Sequence, residues 1–230
     1  RAFREASVWR QLRHAHILPF LGMSTQAGLP HLVSPYMENG TAPDYIRRNP
    51  GVNRLQLLVH AARGLLYMHK RPTPIIHGDL KGDNILVSAD GTAYLSDFGL
   101  ARPLEYRPNL EPLGEALPSQ VEEQATGGNF RWQAPELILT EGSKSCASDV
   151  YSFGRVIEEI LTGEIPFGSL ASDSQVMMQV IQGIHQRPIG DYIVSCGMDD
   201  SMWSLTLCCW AMEPFERPSI SDILDSLNSM

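Results

Sequence analysis

The sequence predicts an α+β fold in two lobes, a small β-containing one followed by a larger, mainly helical one. Short apolar runs around a glycine-containing turn follow an opening helix within the first 36 residues, and helical apolar spacing dominates after residue 53. Between them Glu38-Asn39-Gly40 breaks the pattern, a natural crossing point from one lobe to the other. At 230 residues the chain is long enough to bury a sizeable core, as one domain or two small lobes.

Taken in order, residues 1–13 read as an amphipathic helix, with Phe3, Val8 and Leu12 interleaved among charges. No capping signal precedes it, so the helix reads as joined after its start; the expectation is a fragment or a truncated gene prediction. Ile17-Leu18-Pro19-Phe20-Leu21 and His31-Leu32-Val33-Ser34 read as short strands joined through a turn at Gln26-Ala27-Gly28. Asn53 is a candidate N-cap for a helix carrying Leu55, Leu58, Ala62, Leu65 and Leu66. Ile85-Leu86-Val87 and Tyr94-Leu95 flank Asp90-Gly91, a strong hairpin signal. Pro, Gly and polar residues dominate 103–128, which is expected to be a mobile loop. From Asp149 to Leu161 apolar residues surround most of a helix, which places it at the centre of a lobe. A last helix from Ser219 would bury Ile220, Ile223, Leu224 and Leu227. Internal repeats and low-complexity tracts are absent.

Hydrophobic content of 43% and charged content of 19% describe an ordinary globular chain. A net charge of -8 argues against wholesale attraction to nucleic acid or an anionic membrane, leaving room for a locally basic groove. No apolar run is long enough to span a bilayer, and no signal peptide opens the chain. Cys146, Cys196, Cys208 and Cys209 lack C-x-x-C spacing, so reduced cysteines and a cytoplasmic location are expected.

The chemistry concentrates in His77-Gly78-Asp79-Leu80-Lys81-Gly82-Asp83-Asn84 and in Ser96-Asp97-Phe98-Gly99. Asp79 could accept a hydroxyl proton and Lys81 could neutralise a phosphate. Asn84 and Asp97 offer the hard oxygens that magnesium prefers, and the hairpin can bring them face to face. Phosphoryl transfer asks a protein for little beyond positioning and charge stabilisation, so this set is close to sufficient. Either motif alone is common in polar loops. In order, each attached to an apolar strand, they point to one site.

These motifs resemble the catalytic loop and magnesium-binding turn of eukaryotic protein kinases, and later motifs extend the resemblance over almost the whole chain. On that resemblance, residues 1–36 form part of the small lobe and 37–230 the hinge and helical lobe of one kinase domain. The resemblance implies ATP and Mg2+ as cofactors and a protein substrate. It places Glu5 at the helix glutamate that pairs with a phosphate-clamping lysine, Ser34 at the gatekeeper, and Pro35 and Met37 at the adenine hinge. Leu86 joins these nucleotide-site residues. Glu136, in Ala134-Pro135-Glu136, would pair with Arg217, and Asp149 would hold the backbone of the catalytic loop. Trp9, Phe20, Phe98 and His77 fall where the family stacks a spine of side chains.

Lys81 is similar to the Ser/Thr-type loop, whereas Phe130-Arg131-Trp132-Gln133 and Cys209-Trp210 resemble tyrosine kinases. That mixture resembles the tyrosine-kinase-like group and implies Ser/Thr phosphorylation. The glycine-rich loop and strand-three lysine of the family would precede Glu5, so this stretch alone is expected to bind ATP weakly and to transfer phosphate poorly if at all. A non-catalytic, kinase-like scaffold is the alternative. Gly78 stands where the family usually carries Arg, so control by a phosphate near Thr126 is expected not to run through position 78.

Overall fold

A computed structural model of the chain describes residues 2–104, 129–139 and 143–230. The first helix, α1 (Ala2–Trp9), turns Ala6, Val8 and Trp9 inward. It is shorter than the predicted 1–13 because its bonding tightens: Gln11 N donates to the Val8 carbonyl at 3.1 Å and Leu12 N to that of Trp9 at 2.9 Å. Such i to i+3 bonds close a helix rather than continue it.

Strands β1 (Gly22–Gln26) and β2 (Leu29–Val33) form an antiparallel hairpin in the register Gly22↔Val33 to Gln26↔Leu29. Its two-residue loop, Ala27 and Gly28, has φ of +49° and +77°, the left-handed pair whose twist suits a tight hairpin. The strand expected at 17–21 is therefore displaced. The backbone near Ile17 is engaged elsewhere: Leu95 N donates to the His16 carbonyl at 3.0 Å and Leu18 N to that of Leu95 at 2.9 Å. Pro19 has no N–H to offer, and pairing with β2 resumes where Leu21 N meets the Val33 carbonyl at 2.9 Å.

Next come α2 (Ala42–Arg48) and α3 (Arg54–His69), the latter capped as expected by Asn53 Oδ1, which accepts from Gln56 N at 3.0 Å. Strand β3 (Ile75–Ile76) leads into the 77–84 loop, which ends in a 3-10 turn, Gly82–Asn84. Strands β4 (Ile85–Val87) and β5 (Ala93–Leu95) pair as the predicted hairpin, Ile85↔Leu95 to Val87↔Ala93. Asp90 Oδ1 tightens their turn by accepting from Ser88 Oγ and Thr92 N. Strand β6 (Arg102–Pro103) returns to pair with β3. The loop expected over 103–128 lies almost wholly outside the described residues.

The rest is helical: α4 (Pro135–Leu139), α5 (Cys146–Thr162), α6 (Asp173–Ile181), α7 (Asp191–Ser195), α8 (Asp200–Cys209) and α9 (Ile220–Ser229). Reciprocal capping by Ser145 and Ser148 starts α5 three residues before Asp149, and Gly163 in a left-handed conformation stops it. Val150, Tyr151, Phe153, Val156, Ile157, Ile160 and Leu161 are all buried, so α5 runs through the middle of the helical part, against α3 and α8. Helix α3 in turn packs on α9 and β5, which joins the β hairpin carrying the site to the helical core. No helix among the described residues is long and apolar enough to cross a membrane.

Candidate active site

The 77–84 loop is held at both ends by buried carboxylates of α5. At its start Asp149 accepts from His77 N and Gly78 N, each at 2.8 Å. The same carboxylate takes the His69 Nε2 proton at 2.9 Å. Burial opposes a charge on His69, but its bonds to Asp149 and Cys146 prevail and raise it to about 9. Asp149, 1% exposed, therefore carries its own counterion. At the loop's far end Glu159 Oε2 accepts from Gly82 N and from the Trp132 indole, both at 2.8 Å. Burial pushes Glu159 up to about 7 despite those two donors.

Between the clamps sits Asp79. Its Oδ1 accepts from Asn129 Nδ2 at 2.9 Å, and its Oδ2 from Asn84 Nδ2 at 3.1 Å, with Lys81 Nζ 3.4 Å away. Burial works to raise its carboxyl, but the Asn129 bond and the Lys81 charge outweigh it and hold Asp79 below the usual carboxylate range. It stays ionised, as a proton acceptor must. His77 Nδ1 accepts from Asp79 N at 3.3 Å while Nε2 faces the Ser96 carbonyl at 3.1 Å. This assigns the proton to Nε2, and complete burial keeps the ring neutral.

Asn84 also donates to the Asp79 carbonyl at 2.7 Å, so its amide nitrogen is committed to residue 79 and its side-chain oxygen is the atom left to bind a cation. Ser96 fastens the second motif alongside: its N and Oγ both donate to the Asn84 carbonyl, at 2.9 and 3.0 Å. Asp97 follows at once, its carboxylate exposed and its backbone left-handed at φ +58°. One amide oxygen and one accessible carboxylate fit Mg2+, which keeps several waters and takes the remainder of its shell from phosphates.

The hinge residues lie along one segment. Ser34, Pro35 and Met37 are half-buried, and the Ser34 hydroxyl donates to the Pro35 carbonyl at 3.3 Å. That segment is stitched to β4: Asn39 N donates to the Val87 carbonyl at 3.1 Å and Val87 N to that of Gly40 at 2.9 Å. Leu86 and Met37 both pack on the hydrophobic core from this side. Glu5 is half-buried in the first turn of α1. None of these residues lines the 510 Å³ cavity beside the N-terminus of α3 and α7.

Around it, Phe20, Trp9, Phe98 and His77 make an unbroken run of rings with centroids 5.2, 5.7 and 5.5 Å apart. Trp9 Nε1 anchors the run to the Leu18 carbonyl at 2.6 Å. Arg217 forks onto Glu136 through two bonds of 2.7 Å and also caps the Ala147 and Ala211 carbonyls at 2.9 Å.

Sequence reasoning missed Asn129 and Glu159. Nothing local marks Asn129, which reaches Asp79 across fifty positions. Glu159 carried a signal: an acid set among the apolar positions of a central helix has to meet donors inside the protein. Thr126 lies outside the described residues.

A clamped loop with an ionised acid, an adjacent ammonium and two oxygens suited to a cation, between a β hairpin and a helical core, defines a protein kinase domain. The family model described as protein tyrosine and serine/threonine kinase matches residues 1–227, and the chain belongs to that family. It is similar to serine/threonine-protein kinase CTR1 of Arabidopsis thaliana, 29% identical over 99% of this chain and 26% of the relative. The probable serine/threonine-protein kinase drkD of Dictyostelium discoideum is 32% identical over 99% of this chain and 16% of its own length. Human ephrin type-A receptor 8 is also 32% identical, over 98% of this chain and 21% of the receptor. The chain thus spans well under half of each of these relatives. Protein kinases generally use ATP and Mg2+.

Proposed function

We propose that this chain is the catalytic domain of a protein kinase that transfers the γ-phosphate of ATP to Ser or Thr hydroxyls of protein substrates. The observation that carries the proposal is Asp79, ionised and oriented by Asn129 and Asn84 beside Lys81. In this reading Asp79 orients the attacking hydroxyl and takes its proton, and Lys81 steadies the charge on the transferring phosphate. Asn84 and Asp97 hold Mg2+, which neutralises phosphate charge when bound. Ser34, Pro35, Met37 and Leu86 receive the adenine, and Glu5 serves the phosphate-clamping side. The same reading takes 1–36 and 37–230 as two lobes of one domain, acting in the cytoplasm, in signalling, without nucleic acid.

The Ser/Thr preference rests on Lys81 and on the similarity to the serine/threonine-protein kinases CTR1 and drkD, set against a receptor relative of the ephrin type. The test uses the full-length protein with ATP, Mg2+ and a mixed Ser, Thr and Tyr peptide set. Asp79→Asn should lower phosphate transfer at least about a hundredfold while leaving ATP binding intact. Asp97→Ala should abolish the Mg2+ dependence of ATP binding. Transfer that survives Asp79→Asn overturns the base assignment, and absence of any Mg2+-dependent ATP binding in the parent protein sinks the catalytic reading in favour of a scaffold.

A further inference from the structure

Gly78 is held at both of its polar atoms. Asp149 Oδ1 takes its N–H at 2.8 Å, and Lys144 Nζ donates to its carbonyl at 2.7 Å. That carbonyl belongs to the same peptide unit as the Asp79 N–H, so the ammonium fixes the plane from which the Asp79 side chain departs. Lys144 lies sixty-six positions further along the chain, immediately ahead of the Ser145 cap of α5.

The fit between the two residues is close. A Cβ built on Gly78 would fall 2.8 Å from Lys144 Cδ, 3.2 Å from the Leu100 carbonyl and 3.3 Å from Lys144 Nζ. The lysine stem therefore fills the space in which a side chain at position 78 would begin. The backbone there, at φ +76°, is one that glycine adopts without strain. A glycine with no room for a side chain, and a cation reaching in from another element, form a matched pair.

We infer that Lys144 is a positioning residue for Asp79: it locks the 78–79 peptide while Asp149 holds the 77–78 peptide before it, and the absent side chain at residue 78 is what admits it. The cation bound directly to the loop's backbone at Gly78 comes from the approach to α5 and not from the loop itself. The inference rests on Asp79 being the general base; the lock itself is a geometric statement that can be measured without activity.

Two measurements on the full chain decide it. Lys144→Met keeps the stem and removes the donor. It should lower kcat about tenfold or more through misorientation of Asp79, with KM for ATP and for peptide held within about twofold. Lys144→Arg, which retains a donor, should recover most of that loss. Gly78→Ala should displace the lysine and lower kcat similarly, and adding Lys144→Met to it should cost little more, the mark of two changes acting on one contact. Separately, amide hydrogen exchange at Asp79 should accelerate about tenfold or more in Lys144→Met, with Leu65 and its neighbours in the α3 core unchanged. Parent-like kcat together with parent-like exchange at Asp79 overturns the inference. So does acceleration spread evenly over α3 and the loop, which would make Lys144 a general stabiliser. A parent protein that transfers no phosphate defeats the kinase reading alone, since the exchange comparison still judges the lysine.

Discussion

The two ends of the 77–84 loop are tied to the same helix by the same kind of group, yet the ties differ in charge balance. Asp149 grips two N–H groups and is paired with an imidazolium, His69. Glu159 grips one N–H and one indole and has no salt bridge among the described residues, and burial lifts it to about 7 against the weaker pull of the Lys81 charge. Asp149 has a charged partner to offset the cost of its burial. A buried carboxylate bonded only to neutral donors gives up its charge near neutrality. The start of the loop, which orients Asp79, is thus held by an ion pair, while the end, which leads into Asn84, is held by a carboxyl raised to about 7.

Removing the compensated end should cost most. Asp149→Ala strands two backbone donors and a buried imidazolium, and is expected to lower unfolding free energy by about 3–5 kcal/mol in urea titrations near neutral pH. A loss below about 1 kcal/mol would mean the clamp is not structural. At the other end Gly82→Ala tests close approach, because a Cβ there would lie 2.7 Å from the Glu159 carboxyl and from Pro43 Cγ. Overpacking of this kind should cost about 1–3 kcal/mol by the same measurement.

Glu159→Gln isolates the titration itself, since an amide oxygen can still accept from Gly82 and Trp132. Glu159 is raised from its ordinary 4.5, so the native state binds the extra proton between pH 4.5 and about 7. Its stabilising contribution is complete below pH 4.5 and is lost as pH rises through 7. The variant should flatten that part of the stability profile, gaining on the parent from pH 5 to pH 8, with a difference of about 1 kcal/mol or less at pH 5. Parallel profiles would show that Glu159 does not titrate there. His69 is raised from 6.5 to about 9, so its contribution is lost at higher pH, between those values. The smallest effect is expected from Asn129→Ala. Losing that donor should raise the Asp79 pKa. The acidic limb of the pH–kcat profile would move up accordingly, with the urea midpoint scarcely changed; an unmoved limb would remove Asn129 from the site.

Features specified by neighbours along the chain were legible in the sequence. Asn53 and Ser219 cap the helices expected of them, and Asp90-Gly91 turns the hairpin between β4 and β5. The Arg217–Glu136 fork could be named from motifs because each partner carries its own local signature. The strand expected at 17–21 could not be placed correctly: its apolar pattern suits a strand, but the long-range partner Leu95 claims its backbone first. Lys144, Asn129 and Glu159 act across 66, 50 and 77 positions, and no spacing rule reaches that far.

The order and chemistry of Asp79, Lys81, Asn84 and Asp97 are properties of the sequence, because a proton acceptor, an ammonium and oxygen ligands are defined by residue type and short spacing. Which atoms orient them was decided only by the tertiary structure. Hydrogen bonds to Asp79 and to the peptide before it depend on ångström-scale placement of groups carried by other elements. That placement is set by how α5, the Asn129 segment and the approach to α5 pack around one loop.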